Sequence, residues 1–239
     1  MAGLPGLSLE TWRATLEQAV LARPDHLAVY DLQVEPGTPF ASLYRPGVAP
    51  LPDEDTAADM LRLASAMLTA SGYEHYEISN FARPGHRSRH NATYWAGDAF
   101  YGFGMGATSS LQGSRFARPK TLPGYLRWAE SGFGTEGVMI DARPSVEDRL
   151  LDTIMLRGRL LIDGVSLPVL RALGLDAACE AALLASLQTH VDAGRVWLDT
   201  DHDSRPQRFG LTDPEGMLLS NTILSDIFEA LDGKVSATS

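Results

Sequence analysis

Chemistry-bearing side chains are densest in Arg83-Pro84-Gly85-His86-Arg87-Ser88-Arg89-His90-Asn91-Ala92-Thr93-Tyr94-Trp95. Imidazole is a good axial ligand for haem iron, and aromatic rings four and five residues beyond His90 can offer flat apolar faces to a macrocycle. The guanidiniums of Arg83, Arg87 and Arg89 suit the carboxylates such a macrocycle carries. On chemistry alone the plainer reading is favoured, in which His90 and Asn91 satisfy a turn while Tyr94 and Trp95 fill a core, because single histidines are mostly structural. His86 and His90 also stand at the four-residue spacing of a helical zinc pair. No glutamate follows the first histidine and Pro84-Gly85 precede it, so that signal is discounted.

Two further constellations carry less. Gly102-Phe103-Gly104-Met105-Gly106-Ala107 formally has the spacing of a dinucleotide turn but lies more than a hundred residues into the chain and opens no helix, which argues against a dehydrogenase. Glycines at a strand end let a ligand approach the backbone closely, or merely form a tight corner. In Glu74-His75-Tyr76-Glu77, alternation puts His75 and Glu77 on one face and Glu74 and Tyr76 on the other, so that one of each pair is expected to be solvated.

The elements that must position these groups read as follows. Ser8 caps a helix through Leu9, Trp12, Leu16 and Val20 that Pro24 closes. His26 to Val34 is a largely apolar strand, of the kind found in parallel sheets covered by helices. Asp53 or Asp55 starts a helix running to Gly72, and Tyr73 to Ile78 is the next strand. This helix and strand alternation is the grammar of an α/β sheet or barrel. Gly3-Leu4-Pro5-Gly6 opens the chain as a turn with nothing extended before it, so the sheet looks cut. A short strand is expected near Phe100 to Phe103. Ser145 and Asp148 form a capping box for a helix through Leu150 and Ile154. Helices over Leu167–Leu173 and Asp176–Ala193, strands at Arg195–Asp199 and Phe209–Leu211, and a last helix from Pro214 to Leu231 complete a winged-helix-like tail. The division is therefore expected at 144/145, with residues 1–144 an α/β barrel part and 145–239 a mostly helical domain.

Composition narrows the function. The chain has 239 residues with 20 Lys plus Arg against 30 Asp plus Glu, a net charge of −10. The segment 145–239 alone has 8 basic and 15 acidic residues. Such a surface does not bind a nucleic-acid backbone, even through a winged helix. Cys179 is the one cysteine, so neither an internal disulfide nor a four-cysteine metal or iron–sulfur site can form from this chain. No apolar run approaches the ~20 residues that span a bilayer, and Met1 to Thr11 do not read as a signal or transit peptide.

Several blocks together resemble the oxygen-independent coproporphyrinogen-III-oxidase-like family of radical S-adenosylmethionine (SAM) proteins. They are Gly3-Leu4-Pro5-Gly6, Pro24-Asp25-His26-Leu27, Glu35-Pro36-Gly37-Thr38, Leu51-Pro52-Asp53-Glu54-Asp55, Gly72 through Gly85, His90-Asn91-Ala92-Thr93-Tyr94-Trp95, Gly102 to Ser109 and Leu211-Thr212-Asp213-Pro214-Glu215-Gly216. In order and spacing the match covers almost the whole chain. The segment His90-Asn91-x-x-Tyr94-Trp95 looks like the haem-binding motif of the family's haem-chaperone branch. Tyr30 to Glu35 and Phe116-Ala117-Arg118-Pro119 look most like members from plastid-bearing cells.

The resemblance implies a partial radical-SAM (β/α) barrel followed by a family-specific winged-helix-like domain. It makes His90 the haem iron ligand, with Tyr94 and Trp95 packing on the macrocycle, Asn91 orienting the loop, and Arg83, Arg87 and Arg89 as propionate partners. It places SAM near Tyr30 and Gln33 and near Gly102, Gly104, Gly106 and Thr108. The cysteine triplet for a four-iron, four-sulfur cluster is expected before Met1, so radical chemistry by this chain alone is not expected. The implied function is haem binding and trafficking towards a haem-accepting protein, in the cytoplasm, or in a plastid or mitochondrion if an upstream transit peptide has been lost. The alternatives are coproporphyrinogen III oxidation by a complete protein and a non-enzymatic interaction module formed by the acidic tail.

Overall fold

The computed structural model describes residues 1–111, 114–132, 139–140 and 144–234; residues 141–143, just before the expected 144/145 division, lie outside it. The first elements are α1 (Leu9–Leu21), β1 (His26–Ala28), α2 (Pro39–Leu43), α3 (Glu54–Ala70), β2 (Glu74–Glu77) and β3 (Asn80–Ala82). Ser8 Oγ accepts the Thr11 N–H at 3.1 Å and Asp53 Oδ1 accepts that of Thr56 at 2.7 Å, so both long helices begin on the expected caps. Trp12 and Leu16 of α1 pack with Met60, Ala64 and Leu68 of α3, and the buried Trp12 indole donates to the Met60 carbonyl at 2.8 Å. A buried aromatic thus keeps its polar atom satisfied while joining the two helices.

The small sheet has the order β1-β3-β2, and both pairings are antiparallel. β1 and β2 therefore run parallel to each other across the α3 crossover, as the helix and strand alternation predicts, but they do not pair. The chain reverses within two residues after Glu77 and inserts β3 between them. The regular strand also ends at Ala28 rather than Val34. Beyond it Ala2 forms a parallel bridge to Asp31, donating to the Tyr30 carbonyl at 2.8 Å and accepting from the Leu32 N–H at 3.1 Å. This corrects the expectation of nothing extended at the start.

A middle segment follows, with α4 (Arg89–Ala96), β4 (Thr108–Leu111), β5 (Ser114–Ala117), α5 (Leu122–Glu130) and β6 (Met139–Ile140), the strands ordered β4-β5-β6. The expected strand at Phe100–Phe103 shrinks to a single bridge between Phe100 and Ser110, because Gly104 and Gly106 take left-handed φ of 94° and 74° and turn the chain away.

The last elements are α6 (Val146–Arg157), β7 (Val165–Ser166), α7 (Leu167–Leu173), α8 (Ala177–Asp192), β8 (Val196–Thr200), β9 (Pro206–Leu211), α9 (Glu215–Leu218) and α10 (Ser220–Leu231). The Ser145–Asp148 capping box is present in both directions. The wing has a third short strand, β7, against β9, and the expected single terminal helix breaks at Leu219. Leu150, Ile154, Leu170, Leu183, Ile223 and Ile227 form the centre of this part's core, each contributing roughly 1.5–3 kcal/mol by its burial.

The seam between the first elements and the last is polar and direct. Arg62 grips Glu215 with two bonds of 2.7 and 3.0 Å, Ser65 Oγ donates to Asp213 at 2.6 Å, and Glu77 forms an antiparallel bridge to Leu160. His75 Nδ1 lies 2.8 Å from Asp213 Oδ1, at ion-pair distance but out of line for N–H donation. Both faces of β2 are covered as a result: His75, Tyr76 and Glu77 are all buried, against the expectation of one solvated side. Glu77 spends its carboxylate on the β2–β3 turn, accepting from the Ser79 N–H at 3.0 Å and from the Asn80 amide.

Candidate functional site

The histidine and aromatic motif is a helix rather than a loop. Ser88 Oγ accepts the Asn91 N–H at 3.2 Å to start α4, and Gly97, with φ of 72°, ends it. Tyr76 fixes where the helix begins, because its hydroxyl takes the Ser88 N–H at 3.3 Å and bonds His26 Nε2 at 2.8 Å. Asn91 thus sits in the first turn of a helix, its backbone N–H engaged by the Ser88 cap. His86 lies before the helix with Nδ1 3.8 Å from Asp25 Oδ2, so it shares no helix face with His90.

Helical spacing puts His90 and Tyr94 one turn apart on the same face. His90 is exposed and meets Tyr94 edge-on, with ring centroids 5.0 Å apart, and Tyr94 meets Phe100 in the same way at 4.6 Å. Tyr94 and Phe100, but not His90 or Asn91, line a cavity of about 640 Å³, a size typical of small-molecule sites. Tyr94, Trp95, Phe100, Thr108 and Ser110 line one side, and residues of α6, including Arg149, Asp152 and Arg157, line the other. Trp95 Nε1 is buried here without a hydrogen-bond partner among the described residues. An aromatic wall of this kind suits a ligand that is flat and apolar.

The structure brings only some of the predicted residues to this place. Arg83 stacks over Tyr73 at 5.1 Å from the ring centroid, and Arg87 is held by Glu74 and Asp163, each at 3.1 Å. Arg89 is exposed at the first position of α4. None of the three lines the cavity. Tyr30 and Gln33 sit with the Ala2 bridge, Gln33 donating to Asp31 at 3.0 Å, and burial pushes the Asp31 carboxyl up. Gly102 donates to Ser109 Oγ at 3.0 Å, and a β-carbon there would collide with the Thr108 backbone. Of the glycine-turn residues, Thr108 reaches the cavity while Gly102, Gly104 and Gly106 do not.

Sequence reasoning missed Phe100, Arg115, Arg149, Asp152 and Arg157. The signal available for the last three was the repeat 149, 152, 156, 157 along one helical face, which reads equally well as a solvated stripe. Cys179 is 2% exposed inside the tail core, and burial pushes its thiol up. An iron–sulfur cluster, which needs several thiolates, does not fit the residues of this chain.

No family model matches the chain. A heme chaperone HemW from Synechocystis is 38% identical over 97% of the chain and 58% of its own length, and HemW of Escherichia coli is 32% identical over 84% and 53%. Among solved structures, the radical SAM enzyme coproporphyrinogen III oxidase (HemN) of Escherichia coli superposes with a TM-score of 0.70 over 95% of the chain and 53% of that protein, at 22% identity. The expected α/β fold is thus shared with a radical SAM protein, and the chain spans about half the length of the curated relatives it matches. With HemW homologues aligned over most of its length and the HemN fold beneath them, the chain belongs to the coproporphyrinogen-III-oxidase-like radical SAM family, beside its haem chaperones.

Proposed function

We propose that the chain binds haem and takes part in its transfer to a haem-accepting protein. The observation that carries this reading is the contact of an exposed imidazole at His90 with the ring of Tyr94, which in turn lines an aromatic cavity that His90 itself does not line. In this reading His90 Nε2 or Nδ1 ligates the iron, Tyr94 orients the imidazole, and Trp95 and Phe100 pack against the macrocycle and exclude water from it. Haem, once bound, supplies the iron centre; the chain's own residues hold and release it.

Residues 1–144 act as the barrel part that carries the haem helix, and 145–239 as the family-specific domain that closes the cavity. SAM and a four-iron, four-sulfur cluster belong to the activity of the longer relatives, with Tyr30, Gln33 and the Gly102–Thr108 turn as this chain's contribution to SAM binding. The site of action is the cytoplasm or an organelle. Among the described residues no helix is long and apolar enough to cross a membrane.

The test is a haemin titration of the purified chain. A shifted Soret band in the wild type that is lost in His90→Ala supports the reading, and a spectrum that is the same in both removes it.

A further inference from the structure

The arginines expected to meet propionates are engaged or lie outside the cavity, yet the cavity has its own guanidiniums. α6 packs against α4 and presents Arg149, Asp152, Leu156 and Arg157 along one face to the aromatic wall formed by Tyr94, Trp95 and Phe100. Charge pairing inside this space is incomplete. Asp152 is taken by Arg115 at 2.9 Å, and Asp148 is committed to the capping box with Ser145. Arg149 makes no side-chain hydrogen bond or ion pair to a described residue, and Arg157 makes only a 3.4 Å contact to the Ala96 carbonyl at the end of α4. The lining is balanced overall, Arg115, Arg149 and Arg157 against Asp98, Asp148 and Asp152, but among the described residues neither Arg149 nor Arg157 has a carboxylate at ion-pair distance. A cavity with an aromatic wall and two guanidiniums free of carboxylate partners is matched to an aromatic plate bearing carboxylates.

We infer that Arg149 and Arg157 of α6 receive the carboxylates of the porphyrin whose iron His90 ligates, so that the ligand is clamped between the two parts of the chain. The inference deepens the haem-binding reading and rests on a porphyrin docking at α4. It replaces Arg83, Arg87 and Arg89 as the selectors of the propionate edge. Two guanidiniums facing one ligand edge also make recognition depend on free carboxylates rather than on the macrocycle alone, since each charge-assisted bond strengthens as water is excluded.

The experiment compares metal-free protoporphyrin IX with its dimethyl ester, following porphyrin absorbance and fluorescence on titration into the intact chain. Wild type, Arg149→Gln, Arg157→Gln, the double variant and the remote control Arg171→Gln are each tested, with unfolding curves to check the fold. The wild type and the control are expected to prefer the diacid about ten- to hundred-fold over the diester, and the double variant to lose that preference with its unfolding curve unchanged. Arg149→Gln alone, which breaks no hydrogen bond or ion pair to a described residue, should lose part of it. Equal binding of diacid and diester by the wild type, or an unaltered preference in the double variant, overturns the inference. Because the probe carries no iron, failure of His90 ligation in the haemin titration leaves this readout intact, and the two outcomes are separable.

Discussion

His90 stands edge-on to Tyr94, with their rings 5.0 Å apart and their planes at 88°. One helical turn separates them, so the tyrosine ring limits the rotamers open to the imidazole. If His90 is the iron ligand, removing that ring loosens the ligand without deleting it. Tyr94→Ala is expected to keep a shifted Soret band but to weaken haemin binding by about ten-fold, with Tyr94→Phe close to wild type; a titration of all three checks it. Equal affinities across the series would show that Tyr94 does not position the histidine.

Arg62 and Glu215 join α3 to α9 across the seam, and the guanidinium holds the Glu215 carboxyl below its ordinary range. A carboxylate depressed in the folded state stabilises the fold at pH values above its unfolded pKa, about 4.3, and that contribution fades as pH falls through the lower, folded value. The side chains are 41% and 50% exposed, so solvent and salt limit the effect to less than about 1 kcal/mol. Urea midpoints measured from pH 7 to pH 3 should separate wild type from Glu215→Gln near neutrality and bring the two together in acid. A constant gap at every pH would contradict the assignment.

Ile154 is fully buried at the centre of the tail core, with Leu150 one turn before it. Truncation to alanine removes apolar contacts and leaves a cavity, so Ile154→Ala should cost about 2–5 kcal/mol. Thermal unfolding followed by circular dichroism should show a midpoint lower by several degrees or more. A loss no larger than that of an exposed substitution such as Leu126→Ala would place the core elsewhere.

Much of the scaffold was legible from caps and periodicity. Ser8, Asp53, Ser145 and Asp176 each bond the backbone N–H three residues on, because a short polar side chain before an apolar period has one favourable use. The sheet was less legible. The strand expected at Tyr73 to Ile78 is β2, but antiparallel β3 at Asn80–Ala82 follows it so closely that no turn signal marked it, and the buried Glu77 that makes the turn looks in sequence like an exposed acid. The site was half legible. His90, Tyr94 and Trp95 stand close together in the chain, but Arg149 and Arg157 arrive from more than fifty residues away on a helix whose polar stripe carries no local mark of a ligand. Position in the fold, not residue type, separates them from Arg83 and Arg87, which spend their charge and planar faces on Tyr73, Glu74 and Asp163.

Cys179 gives a test of the tail that is independent of any ligand. Its N–H caps onto Asp176 Oδ1 at 2.7 Å while the sulfur is sealed in the core, and burial raises the thiol pKa. Thiolate is the reactive form and reagents must also reach it, so modification should proceed through opening of the tail rather than from the native surface. A chromogenic disulfide reagent is expected to react with the native chain at least a hundred-fold more slowly than with the urea-unfolded chain. The rate should rise when Ile154→Ala weakens the surrounding core. Fast labelling of native wild type would mean that α8 does not bury this sulfur in solution.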